Sequence, residues 1–171
     1  MLIERPGMVA RSVRFVHSTR MYAFIVIGLM LVIPIGCTLY DVFHSNHGTF
    51  SFGILLQWLV FWAVGVRLLL AGLRQIFQPG YTAEVVLGIK GDDCRRVIRE
   101  LGFGCTAIGC IGAGSLFSET WLLPAAIAGA VFYGLAGVNH FLHKARGMNE
   151  NVAMVSDVLV AVVLIICLLP S

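Results

Sequence analysis

Five apolar runs dominate this sequence, and each is long enough to cross a lipid bilayer. The runs contain 17 to 22 residues and cover positions 22–39, 52–73, 101–117, 121–141 and 152–169. At a rise of about 1.5 Å per residue, helices of that length match a hydrocarbon core about 30 Å thick. Backbone polar groups in lipid must be satisfied within the segment, so each run is expected to be helical. The sequence therefore predicts an all-α integral membrane bundle of five transmembrane helices.

The composition excludes a water-soluble domain. Hydrophobic residues make up 58% of the 171 positions and charged residues only 12%, whereas a soluble domain has roughly 25% charged residues. One water-soluble core of this size could not hide so much apolar surface. We expect a single membrane domain over residues 1–171, with a cytoplasmic loop at 74–100. The cysteines have no C-x-x-C spacing and do not indicate a disulfide framework; they are Cys37, Cys94, Cys105, Cys110 and Cys167.

The basic residues predict the orientation of the chain in the membrane. Eleven of the twelve lie in the N-terminal segment, in the loop 74–100 with its flanks and in the loop after the fourth run, and only Arg67 lies within a run. The alternate loops carry none. Because Lys and Arg accumulate on the cytoplasmic side, we expect the N-terminus in the cytoplasm and the C-terminus outside. This distribution explains the net charge of +3 without any role in nucleic-acid binding.

The loop 74–100 is the one sizeable segment between the runs. Pro79 and Gly80 are expected to end the second helix. Asp92 or Asp93 is expected to cap a helix that continues into the third run. The cytoplasmic part of that helix would present basic side chains to anionic lipid headgroups, at about 1 kcal/mol each; these are Arg95, Arg96 and Arg99.

Small residues recur at helical spacing in the third and fourth runs. The turn between these two runs contains only about three residues, so the two helices are predicted to be antiparallel neighbours. Such stripes allow close helix packing within the chain, or form a surface for a homo-oligomer or a larger membrane complex. The residues concerned are Cys105, Gly109 and Ala113 in the third run, and Ala126, Ala130, Gly134 and Gly137 in the fourth.

Polar residues within the runs predict a pocket in the cytoplasmic half of the bundle. Arg67 needs a partner because a charge near the bilayer centre costs about 2.5–3.5 kcal/mol on insertion scales. Asp157 lies at a similar depth and is the expected partner. Arg67, Ala71, Arg74 and Gln78 fall on one helical face. The candidate pocket residues are Arg67, Arg74, Tyr133, Asn139, His140, His143 and Asp157.

Three interpretations of this polar cluster remain open. It could fasten the helices of a structural or accessory subunit. It could line a cytoplasm-facing cavity that binds or transports a small ligand, an ion or a proton. It could also be a redox site for quinone or haem, in which His17 would join His140 or His143 as an axial ligand. The binding or transport interpretation is the one that we favour.

No catalytic motif accompanies the cluster, and we do not expect an enzyme. Ser115 follows a glycine-rich stretch, but it lies at the opposite end of the membrane from the histidines, beyond hydrogen-bond reach. On the outer side, a D-x-x-H-x-x-H run predicts either a metal site or an ordinary solvated polar loop. The candidate ligands of that site are Asp41, His44 and His47. No cofactor is indicated.

Two stretches resemble a family of small bacterial inner-membrane proteins with no assigned function. The first is RLLLAGLRQIF at 67–77, followed by YTAE at 81–84. The second is FYGLAGVNH at 132–140, followed by ENVAMVSD at 150–157. The resemblance covers roughly residues 60–165. It implies a bacterial source, an inner-membrane location and a helical bundle, and it implies no activity.

Overall fold

The computed structural model describes residues 21, 23–44, 48–86, 91–142 and 148–169. Five helices in this part of the chain are long and apolar enough to cross a membrane, and no strand occurs among the described residues. This confirms the predicted all-α bundle with five candidate transmembrane helices. The helices are α1 (Ala23–His44), α2 (Phe52–Phe77), α3 (Asp92–Gly114), α4 (Leu122–Leu142) and α5 (Met148–Leu168).

The ends of the helices differ from the predicted runs, because a helix does not stop where its apolar composition stops. The first helix continues to His44, five residues beyond position 39. The third begins at Asp92, in agreement with the predicted extension of this helix into the loop, and ends at Gly114, three residues before the end of the apolar run. Its N-cap residue is Gly91, whose φ of 138° suits glycine, and no side chain caps this end. Asp92 and Asp93 lie in the first turn instead, where a negative charge favours the helix dipole.

The second helix ends at Phe77, two residues before Pro79. Gln78 leaves the helical conformation, with φ −133° and ψ 57°, because the residue before a proline is pushed out of the α region. Gln78 therefore does not belong to the predicted helical face, which ends at Arg74. A short helical segment follows, Pro79–Tyr81 and then Thr82–Val86, and we call these eight residues the connecting segment.

Wide π-helical turns interrupt two of the long helices. They occupy Gly28–Val32 in α1 and Val60–Val66 in α2. The second of these ends directly before Arg67. A π-helical turn changes the direction in which the following side chains point, and such turns are often found at functional sites.

Glycines bring the backbones of α2 and α3 into direct contact. A Cβ atom on Gly65 would lie 2.6 Å from the backbone nitrogen of Ala113, and one on Gly109 would lie 2.6 Å from that of Leu69. Gly72 faces the carbonyl of Gly102 in the same way, at 2.7 Å. These glycines of α3 therefore pack against α2, a neighbour that the small-residue stripe alone does not specify.

The small residues of α4 pack mainly against α5. A Cβ atom on Gly137 would lie 2.6 Å from Cγ2 of Val158, and one on Gly134 would lie 3.9 Å from the Cβ of Ala161. Gly129 instead faces Val64 of α2. Helix α4 thus packs against both α2 and α5, and this arrangement places its polar residues beside Arg67 and Asp157.

Candidate functional site

An ion pair joins α2 to α5 in the half of the bundle predicted to be cytoplasmic. Nη2 of Arg67 lies 3.8 Å from Oδ1 of Asp157, and the two side chains are 13% and 6% exposed. The contact is too long for a hydrogen bond, so it acts through charge. The structure therefore brings together the two residues that the sequence predicted as partners.

Tyr133 supports this pair from α4. Its side chain is fully buried, and the centroid of its ring lies 5.6 Å from Cζ of Arg67. Its hydroxyl group donates a hydrogen bond to the carbonyl oxygen of Ala63. Tyr133 is not among the residues that line the neighbouring cavity. It fastens α4 to α2 and holds Arg67, which differs from the predicted role of a pocket residue.

A cavity of about 540 Å³ opens beside the ion pair. Its walls come from all five long helices and from the connecting segment, and most of the lining is apolar. Volumes of roughly 300–1,000 Å³ with a few placed polar groups are typical of small-ligand sites. Five of the predicted pocket residues line it: Arg67, Arg74, Asn139, His140 and Asp157.

Arg74 is the second arginine of the cavity, and its contacts differ from those of Arg67. Its Cζ lies 3.7 Å from the centroid of the Tyr81 ring, which is close enough for a cation–π contact. Its Nε is buried, and no described residue gives it a hydrogen-bond partner. Oε1 of Gln75, which also lines the cavity, is likewise buried without a partner in the described part of the chain.

The charges of the cavity do not cancel among its described lining residues. Arg67 and Arg74 contribute two positive charges, and Asp157 contributes one negative charge. The ion pair takes up Asp157, and no carboxylate within 4.0 Å of the Arg74 guanidinium is found among the described residues. These three residues together carry a formal charge of +1. An anion is the complementary ligand.

Sequence reasoning missed part of this wall, and one predicted wall residue cannot be compared with it. His143 lies outside the described residues. Gln75, Tyr81 and the α1 residue Ile25 line the cavity but were not predicted. Gln75 follows Ala71 by one helical turn, so the spacing that led to Gln78 could have led to it. Nothing in the sequence indicates that α1 contributes to the wall.

On the predicted outer side, the carboxylate of Asp41 is engaged by a hydrogen bond. Nε1 of Trp58 donates to its Oδ2 at 2.7 Å, which joins α1 to α2. His44 stacks on Tyr40 with ring centroids 4.3 Å apart. The third candidate ligand, His47, lies outside the described residues. Among the residues that are described, no group of three metal-ligating side chains occurs.

Carboxylates surround the basic start of α3. Arg95 lies 3.0 Å from Glu84 and 3.2 Å from Asp92, and its hydrogen bond to Glu84, together with both negative charges, raises the pKa of its guanidinium. Arg96 approaches Glu100 at 3.6 Å. Arg95 therefore ties the connecting segment to α3, and Arg99 is exposed.

Comparisons of this chain with protein-family models, with curated proteins and with solved structures gave no match.

Proposed function

We propose that this multi-pass membrane protein binds a small anionic ligand in the cavity beside Arg67 and Arg74. The membrane in question is the bacterial inner membrane, the N-terminus is cytoplasmic, and the cavity faces the cytoplasm. The basic residues and the resemblance to small bacterial inner-membrane proteins support this placement. Binding, with or without transport, requires neither a cofactor nor a catalytic residue.

The uncompensated charge of Arg74 is the observation that carries the proposal. Arg74 is partly exposed, with a buried Nε that lacks a hydrogen-bond partner among the described residues, and a charge within a membrane span is normally paired or faces water. Arg67 meets this requirement through Asp157. Arg74 has only the face of Tyr81 among the described residues, and it lines a cavity large enough for a ligand. A bound anion would supply the missing partner.

Helix fastening in an accessory subunit is the rival function. The hydrogen bond from Tyr133 to Ala63 and the ion pair of Arg67 favour it, because both contacts join helices directly. This function accounts for Tyr133, Arg67 and Asp157. It does not explain the cavity or the position of Arg74, and for that reason we favour ligand binding.

Inorganic pyrophosphate is a suitable probe for the proposed site. Melting of the detergent-solubilised protein is followed with pyrophosphate, and with sodium chloride at the same ionic strength. A ligand at 100 times its Kd stabilises a protein by about 2.7 kcal/mol, so we expect a higher melting temperature with pyrophosphate. Arg74→Gln should abolish the increase. Arg99→Gln, which removes an exposed arginine outside the cavity, should preserve it. An equal increase in the wild type and in Arg74→Gln would contradict the proposal.

A further inference from the structure

Several apolar side chains of the cavity wall are strongly exposed. Leu70 of α2 is 51% exposed, Leu135 of α4 is 67% exposed and Ile25 of α1 is 45% exposed, and all three line the cavity. A pocket for a water-soluble ion would not need exposed apolar side chains along its wall. Such a wall offers contact with hydrocarbon chains of the bilayer.

Polar and apolar lining residues lie at different depths along α2. Arg74 stands three residues before the end of the helix at Phe77, and Leu70 stands seven residues before it. At about 1.5 Å per residue, Arg74 is roughly 5 Å from the end of the helix and Leu70 is roughly 10 Å from it. On α4, Leu135 is also seven residues from the helix end at Leu142. The wall therefore passes from a cation near the interface to leucines deeper in the membrane.

This order of groups is the order within a lipid molecule, whose charged headgroup lies at the interface and whose chain lies in the hydrocarbon. The deeper polar pair does not disturb the match, since Arg67 and Asp157 compensate each other. Tyr81 adds an aromatic ring beside Arg74, and aromatic rings are enriched at the headgroup level of membranes.

We infer that the ligand is an anionic amphiphile, whose headgroup binds at Arg74 and Tyr81 and whose hydrocarbon chain lies against Leu70 and Leu135. This inference rests on the proposed function and specifies the class of ligand. The negative group, a phosphate or a carboxylate, provides the partner of Arg74. The chain covers the exposed leucines, so an amphiphile makes contacts that a soluble anion cannot make.

Four probes separate the contributions of headgroup and chain. They are inorganic phosphate, glycerol 3-phosphate, lysophosphatidic acid and lysophosphatidylcholine, each titrated into the detergent-solubilised protein with melting temperature and native mass spectrometry as readouts. We expect lysophosphatidic acid to bind at least about tenfold more tightly than glycerol 3-phosphate, because of the chain. We also expect it to bind at least about tenfold more tightly than lysophosphatidylcholine, because the choline cation offsets the phosphate charge. Inorganic phosphate should behave like glycerol 3-phosphate.

Two matched pairs of variants test the location of the site. Arg74→Gln should reduce binding of lysophosphatidic acid to the level of lysophosphatidylcholine, whereas Arg99→Gln should not. Leu135→Phe adds bulk to the apolar wall. It should weaken the binding of lysophosphatidic acid without changing the binding of glycerol 3-phosphate. Leu123→Phe is its control, because Leu123 is on the same helix, is exposed to a similar degree and lies outside the cavity.

The outcomes distinguish this inference from the proposed function. If the two phosphates without a chain bind as tightly as lysophosphatidic acid and Arg74→Gln weakens all three, the ligand is a soluble anion; the inference is then overturned and the proposed function stands. If the two lysolipids bind equally and Arg74→Gln has no effect, the cavity does not recognise anions. That result overturns both the inference and the proposed function. Absence of binding by every probe also overturns both. Equal effects of Leu135→Phe and Leu123→Phe on binding would contradict the inference that the hydrocarbon chain lies against Leu135.

Discussion

Nη2 of Arg67 lies 3.8 Å from Oδ1 of Asp157, and this contact joins the second and fifth helices across the interior of the bundle. The two side chains are nearly enclosed by protein, so each charge depends on the other for compensation. Removal of one partner from a buried pair usually costs about 3–5 kcal/mol, whereas removal of both is often much less costly.

A double-mutant cycle should therefore show strong coupling between these two residues. Asp157→Asn leaves Arg67 buried without compensation and should destabilise the protein by up to about 3–5 kcal/mol, with a reduction for water in the cavity. Combining it with Arg67→Gln should recover much of that loss. Melting in detergent gives the comparison. Additive effects of the two single substitutions would mean that the side chains do not interact.

Backbone contact between α2 and α3 predicts opposite behaviour for two glycines of α3. Gly109→Ala places a Cβ atom 2.6 Å from the backbone nitrogen of Leu69, so the helices must separate, at a cost of about 1–3 kcal/mol. Gly104→Ala is the control, since no described atom outside its own helix lies within 4 Å of the new Cβ. It should be neutral or stabilise the helix by up to about 1 kcal/mol. Equal melting temperatures for the two variants would contradict the described packing.

Fusions to a reporter that is active only outside the cytoplasm test the orientation. The reporter should be active after Ser171 and within positions 40–51, because the loops on that side carry no Lys or Arg. It should be inactive after Arg146. Activity after Arg146 would contradict the predicted orientation of the five spans.

The sequence predicts the helices and the Arg67–Asp157 pair for the same physical reason. Apolar length and isolated intramembrane charges are strong signals, because the bilayer penalises every exception to them. Helix neighbours are harder to predict. The stripe that includes Gly109 predicts close helix packing without naming the neighbouring helix; Gly109 packs on α2, since a small residue tolerates close approach by any helix and does not specify which one.

Parts of the cavity could not be predicted because they depend on the path of the backbone. The π-helical turns before Arg67 change the direction of the side chains that follow, and the regular 3.6-residue period does not include such a change. Pro79 ends α2 and brings the Tyr81 ring within 3.7 Å of the Arg74 guanidinium, whereas residues seven positions apart in a continuous helix share a face but lie about 10 Å apart along its axis. The contribution of Ile25 depends on which face of α1 packs against the bundle, and the uniformly apolar sequence around it does not indicate that face.

Cysteine accessibility tests most directly the central claim that the polar cluster lines a cavity reached from the cytoplasm. The native cysteines are replaced first, and single cysteines are then introduced by Ala136→Cys and His140→Cys, both on the cavity wall. The controls are Ala130→Cys and Gly134→Cys on the same helix, at positions outside the cavity lining. A membrane-impermeant thiol reagent is applied to the cytoplasmic face of inside-out vesicles.

We predict that the cysteines at positions 136 and 140 react with the reagent and that pyrophosphate slows their reaction, because an anion at Arg74 would block the path. The cysteines at positions 130 and 134 should react slowly, with no effect of pyrophosphate, since Ala130 is buried and position 134 faces Ala161 of α5. Equal protection at all four positions would contradict the account, and the cluster would then serve only to fasten the helices.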